Sequence, residues 1–300
     1  MFTKEFKNSI KIVFSIVGVG LLCSLLKNIQ SSFGGSVSEV AFYVCYLFIV
    51  VLIIKSFTDI MGICEETIIK LSDFVNILIP LILALLLANG SIATVGILKP
   101  VLLFMVSCIN VIVSKFILPI LFISTMLGLV SNISEGIEIS KLPKFLQKIS
   151  MWCLELLIVV FIGTLSVEGT LAANVDGVTA KGAKTIVSTV VPVVGKALSD
   201  ATDSILGAAS ITKNAIGVLG VIIIIGISIL PIIKVLVLML VYNVAEAIIE
   251  PIVDKRISKC MSSIGDSMKM IVGVMATTSV LFILSTTLMI KMGNFTIMYR

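Results

Sequence analysis

Long apolar runs alternate with short polar stretches along the chain. The runs lie at 10–26, 40–54, 75–88, 101–130, 151–167, 215–230, in the stretch between Pro231 and Pro251, and at 271–290. Within each run the apolar character is continuous rather than alternating at every second residue. The pattern therefore predicts membrane-spanning helices and not barrel strands. At ~17–20 residues per crossing, the runs make about eight spans. Two polar stretches between them read as amphipathic helices. In 55–74, Lys55, Asp59, Gly62, Glu66, Lys70 and Asp73 share one face, and Phe57, Ile60, Cys64, Thr67, Ile68 and Leu71 share the other. In 196–214, Lys196, Asp200, Asp203, Gly207, Ser210 and Asn214 recur at alternating steps of four and three, with Val194, Leu198, Ala201, Ile205 and Ala208 opposite.

The second of these helices closes a stretch, 166–214, built almost wholly of small residues with charges set among them. Little bulk, one charged stripe and one apolar stripe suit close packing beside water or a partner. Lys196, Asp200, Asp203, Gly207, Ser210 and Asn214 thus form a candidate pore or partner face. The plainer reading is a connector lying on the membrane surface.

The two amphipathic helices also match locally, Lys55-Ser-Phe-Thr-Asp59 against Lys196-Ala-Leu-Ser-Asp200. Each leads into an apolar run, then a proline opening the next span (Pro100, Pro231), an Asn-Val pair (Asn110-Val111, Asn243-Val244) and a second proline (Pro119, Pro251). This spacing predicts an internal duplication of 55–167 in 196–290. With three spans in each copy, the two would be inverted across the membrane. The chain then divides into an N-terminal signal anchor and link (1–39), a first helical membrane half (40–167), the small-residue amphipathic segment (168–214) and a second half (215–300). The expected class is an all-α polytopic membrane protein.

Lys4 and Lys7 precede the first run, Lys11 stands at its start, and no small-residue cleavage site follows it, so it reads as an uncleaved anchor with a cytoplasmic N-terminus. Residues 101–130, which hold Lys115 and Pro119, are taken as one span. That choice puts both termini and 132–150 on the cytoplasmic side. It puts 166–214 and the loop with Lys255, Arg256 and Lys259 on the other side.

Composition agrees with the pattern: 58% of residues are hydrophobic and 13% charged, about half the charge of an ordinary soluble domain. The net charge of +5 is spread along the chain without a basic cluster, which argues against nucleic-acid binding. The six cysteines form no Cys-x-x-Cys pair and histidine is absent, so neither a metal site nor another cofactor is expected. Val194-Gly-Lys-Ala197 lacks the remaining parts of a phosphate loop, and Ile264-Gly-Asp266 those of an intramembrane aspartyl protease. Glu155 and Glu246 are the candidate intramembrane polar residues, since a charge within a span is functional by default unless it snorkels from a helix end.

Three stretches carry a family resemblance: Val191-Pro-Val-Val-Gly-Lys-Ala-Leu-Ser-Asp-Ala-Thr-Asp-Ser-Ile, Lys213-Asn-Ala-Ile-Gly-Val-Leu-Gly-Val and Tyr242-Asn-Val-Ala-Glu-Ala-Ile-Ile-Glu-Pro. They resemble the stage III sporulation protein AE family over roughly 40–290. The resemblance implies a non-enzymatic polytopic protein of the mother-cell membrane surrounding the forespore. It would be a subunit, with a permease-like role, of the channel or feeding-tube complex needed for late endospore development. Its partners would be the lipid bilayer and the other subunits of that complex. Members of the family begin with a longer, signal-bearing region, and the family supplies no catalytic or ligand-binding residues to carry over. The alternative is a free-standing secondary transporter of a small solute.

Overall fold

A proline removes one helical hydrogen bond but ends a helix only where the chain can turn away. Here Pro80, Pro100 and Pro231 stand between bulky neighbours with no turn-forming residue beside them, and each lies inside a helix. The consequence, seen in a computed structural model, is fewer and longer helices than the runs suggest. It describes residues 14–15, 17–22, 24–25, 36–89, 91–131, 141–164, 194–253 and 255–298, with side chains excepted at 36–39, 41–42, 45, 93–94, 194–206 and 292–298.

Helix α1 is Ser36–Ala88. Helix α2 runs Ile92–Val111, passes through a π turn at Ile112–Ile117 and resumes over Leu118–Ser131. Helix α3 covers 141–164, α4 is Val194–Ile249 and α5 is Lys255–Met298. Among the described residues, five helices are long and apolar enough to cross a membrane: Tyr46–Ala88, Val95–Ser131, Lys141–Thr164, Gly207–Ile249 and Lys255–Lys291. The all-helical, multi-span class is as expected. So is the single helix through 101–130, where the π turn widens the backbone just ahead of Pro119 and takes up the missing bond. The described helices differ from the separate spans read at 40–54 and 75–88, which share α1 with the amphipathic stretch 55–74. Likewise 215–230 and 231–249 share α4. The described residues between 14 and 25 are helical, whereas 165–193 and most of the 27–39 link lie outside the described residues.

Two compact units hold the packing, and both draw on 40–167 and 215–300. The first comprises Met1–Thr67, Val113–Leu154 and Ile229–Ala276. In it Phe57, Ile60 and Cys64 of α1 are fully buried, and Phe57 stacks on Phe122 of α2 with ring centroids 6.1 Å apart. The Tyr46 hydroxyl lies 2.8 Å from the sulfur of Cys260 on α5. Thr125 donates to the Ser267 hydroxyl at 2.8 Å and Ser124 to the Pro143 carbonyl at 2.7 Å, tying α2 to α5 and α3. Ser24 donates to the carbonyl of Ile252, in the turn that Pro251 forces between α4 and α5.

Lys144, near the start of α3, and Lys259, near the start of α5, line one cleft in this unit. Residues 141–148 and 255–259 therefore come together at one cleft, against their expected placement on opposite sides.

The second unit comprises Ile68–Ile112, Glu155–Ser228 and Thr277–Arg300. Its core includes Ile68, Leu71, Val75 and Ile82 of α1, Ile224 of α4, and Leu281 and Phe282 of α5. Large apolar side chains stay open in both units, among them Trp152, Val159 and Ile222, as a lipid-covered surface requires.

Candidate functional site

The candidate face on α4 begins in the described backbone of that helix, but the side chains of Lys196, Asp200 and Asp203 lie outside the described residues. Gly207 is half-buried, and a Cβ built on it meets nothing within 4 Å. Ser210 is buried, and Asn214 is half-buried with an unpartnered Oδ1. From Ser210 the buried line continues through Lys213, Gly217, Gly220 and Ile224, at steps of three and four that keep it on one side of the helix.

Lys213 is the residue that sequence reasoning missed. Its side chain is 0% exposed, and its Nζ donates to the Ile290 carbonyl of α5 at 2.8 Å. It stands one position from Asn214, on the face that turns into the packing. The readable signal was its spacing of four and seven from Gly217 and Gly220. Both glycines allow close helix approach: a Cβ at Gly217 would overlap Cγ1 of Ile290, and one at Gly220 would lie 2.6 Å from Cδ2 of Leu78. The close approach thus sits about two to three helical turns beyond Ser210, rather than at Gly207. A buried ammonium held by a backbone carbonyl can exchange that carbonyl for an anionic or carbonyl group of a ligand or partner. The same unit holds further unpartnered buried atoms, Asn89 Nδ2 and Oδ1 and Ser285 Oγ.

The two glutamates part company. Glu155 is exposed on α3, where its carboxylate reaches outward. Glu246 is half-buried on α4 in the first unit, with the Ser262 hydroxyl in hydrogen-bonding reach and Glu250, Asp266 and Lys269 close enough to act on its charge. Asp266 itself pairs with Lys269 at 2.9 Å. The structure does not bring Glu155 into the Glu246 cluster, and Ser210 and Asn214 belong to the other unit. Among the described residues no group of three His, Cys, Asp or Glu is placed to hold a metal ion. Cys64, Cys108, Cys153 and Cys260 are free thiols, Cys64 and Cys260 buried, as small apolar residues would be.

No solved structure matches this chain. Stage III sporulation protein AE of Bacillus subtilis (strain 168) is 33% identical over 291 residues, which cover 97% of this chain and 73% of the relative. The family model of stage III sporulation protein AE matches residues 1–293. With its long apolar helices and its small-residue seam on α4, the chain belongs to the stage III sporulation protein AE family.

Proposed function

We propose that this chain is a non-enzymatic, multi-pass subunit of the assembly that bridges mother cell and forespore late in endospore development, in the place of its permease-like component. Family membership along 97% of the chain carries the reading. The buried ammonium of Lys213 and the unpartnered groups of Asn89, Asn214 and Ser285 support it, because polar groups kept in an apolar bundle are suited to line a path or receive a partner. Its surroundings are then the mother-cell membrane around the forespore, and its partners the other subunits of that assembly. An inverted pairing of 55–167 with 196–290 belongs to the same proposal. It rests on the matched Lys55-Ser-Phe-Thr-Asp59 and Lys196-Ala-Leu-Ser-Asp200.

The test replaces the native copy with a tagged one and reads spore yield, the stage of arrest on deletion, and co-purifying membrane proteins from sporulating cells. Arrest after engulfment with stable partners is the expected result. Solute uptake by the purified chain alone, without partners, would instead identify a free-standing transporter. The face from Lys196 to Asn214 is read in the same strain. Asp200→Ala with Asp203→Ala should leave membrane abundance normal yet block sporulation, and so should Gly207→Leu. Normal spore yield in both would reduce the helix to a passive connector. Glu155→Gln and Glu246→Gln complete the series, with an effect expected at Glu246, the less exposed of the two.

A further inference from the structure

The first unit contains a polar cleft of about 370 Å³, lined by Lys144 and Gln147 of α3 and Lys259, Ser262, Ser263 and Asp266 of α5, and closed by the end of α2 at Gly128 and Ser131. Its chemistry differs from that of the apolar helices forming it. Two ammonium groups, two hydroxyls and an amide converge there, and the one carboxylate, Asp266, already pairs with Lys269 at 2.9 Å. The lining thus offers positive charge and donors to a small anion.

The place of the cleft narrows the choice of anion. It lies where three apolar helices end or begin, at the depth where a bilayer passes from acyl chains to headgroups. Large apolar side chains stand exposed beside the lining residues: Val130 next to Ser131, and Leu142 and Phe145 flanking Pro143 and Lys144. A soluble anion has no use for that rim, whereas a lipid whose phosphate enters the cleft lays its chains along it. The basic residues Lys141, Lys144, Lys148, Lys255, Arg256 and Lys259 fall at the starts of these same helices. Anionic lipid headgroups are attracted to such clusters.

We infer that this cleft binds the phosphate headgroup of an anionic phospholipid, with Lys144 and Lys259 as its charged clamps and Ser263 and Gln147 as its neutral contacts. A lipid held there bridges α3 and α5, two helices whose starts otherwise repel through their lysines.

The experiment uses the full-length protein in mild detergent. Binding of phosphatidylglycerol, phosphatidylcholine and inorganic phosphate is measured by native mass spectrometry and by thermal stabilisation. Phosphatidylglycerol should bind and stabilise; phosphatidylcholine and phosphate should not. Lys144→Gln with Lys259→Gln should weaken phosphatidylglycerol binding at least about tenfold, the scale of losing a charge-assisted contact. Lys144→Arg with Lys259→Arg should retain it, and the charge-matched Lys55→Gln with Lys99→Gln should be unaffected. Equal binding of phosphatidylcholine, or undiminished binding by the glutamine pair, overturns the inference. Equal protection by inorganic phosphate overturns the lipid and assigns the cleft to a soluble anion. Should the glutamine pair fail to purify as a single species, each single variant is read in its place.

Discussion

The two units treat buried polarity in opposite ways. In the first, hydroxyls pair across helices: Thr125 with Ser267, Ser124 with the Pro143 carbonyl, and Tyr46 with the Cys260 sulfur. In the second, an ammonium donates to a carbonyl and close-packed glycines face apolar side chains, Gly217 against Ile290 and Gly220 against Leu78, where those of the first, Gly128 and Gly265, face the polar Ser263 and Asn243. Of the buried side-chain N and O atoms without a partner among the described residues, Asn89 Nδ2 and Oδ1, Asn214 Oδ1 and Ser285 Oγ fall in the second unit, against Tyr242 Oη in the first. A buried polar atom left unpaired costs about 1–3 kcal/mol. Among the described residues, the second unit thus carries more of this cost than the first.

Four variants break or sharpen this contrast. The largest effect is expected of Gly217→Leu, whose side chain has no room beside Ile290. It should lose about 3 kcal/mol, seen as a lower unfolding midpoint in mixed detergent micelles; an unchanged midpoint would remove the close approach from the account. Ser285→Ala should raise the midpoint by the equivalent of about 1 kcal/mol, because it deletes an unpaired buried hydroxyl. A loss of similar size would show that Ser285 is paired after all. In the first unit, a double-mutant cycle of Thr125→Val and Ser267→Ala should give a coupling of about 0.6 kcal/mol, the usual worth of such a bond between membrane helices. A coupling of zero would end the distinction drawn between the units. Smallest of all, Gly207→Leu should shift stability by about 0.5 kcal/mol or less, since the space around it is open. That makes it a clean probe of function.

The faces of 55–74 were legible because apolar and polar residues alternate there with helical period. Phe57, Ile60, Cys64, Thr67, Ile68 and Leu71 are all buried, and Lys55, Asp59, Glu66, Lys70 and Asp73 are all exposed. Helix ends were not legible. A proline between apolar neighbours looks the same in sequence whether the chain turns there or runs on, and only the surrounding packing decides. That ambiguity, at Pro231, bears on the number of crossings, and an error of one crossing reverses the sidedness of everything after it. Lys213 escaped for a different reason: amid small and polar residues a lysine reads as part of a wet face, and only the glycines one and two turns on show that it turns inward. The cleft at Lys144 and Lys259 joins helices 115 positions apart by those residue numbers, and no local pattern reaches that far.

The helical hydroxyls bear on how the protein is made. Thr58, Thr67, Ser150, Thr164, Thr212, Ser228, Ser267, Thr286 and Thr287 each donate to the carbonyl four residues back in their own helix. A donor engaged within its own helix presents little polarity to lipid, so these residues burden membrane insertion less than their chemistry suggests. Each such helix can leave the insertion machinery alone and wait in the bilayer. The bond from Lys213 to Ile290 has no such independence, because its acceptor lies in α5, which is made after α4. That contact can form only once α5 has followed α4 into the bilayer.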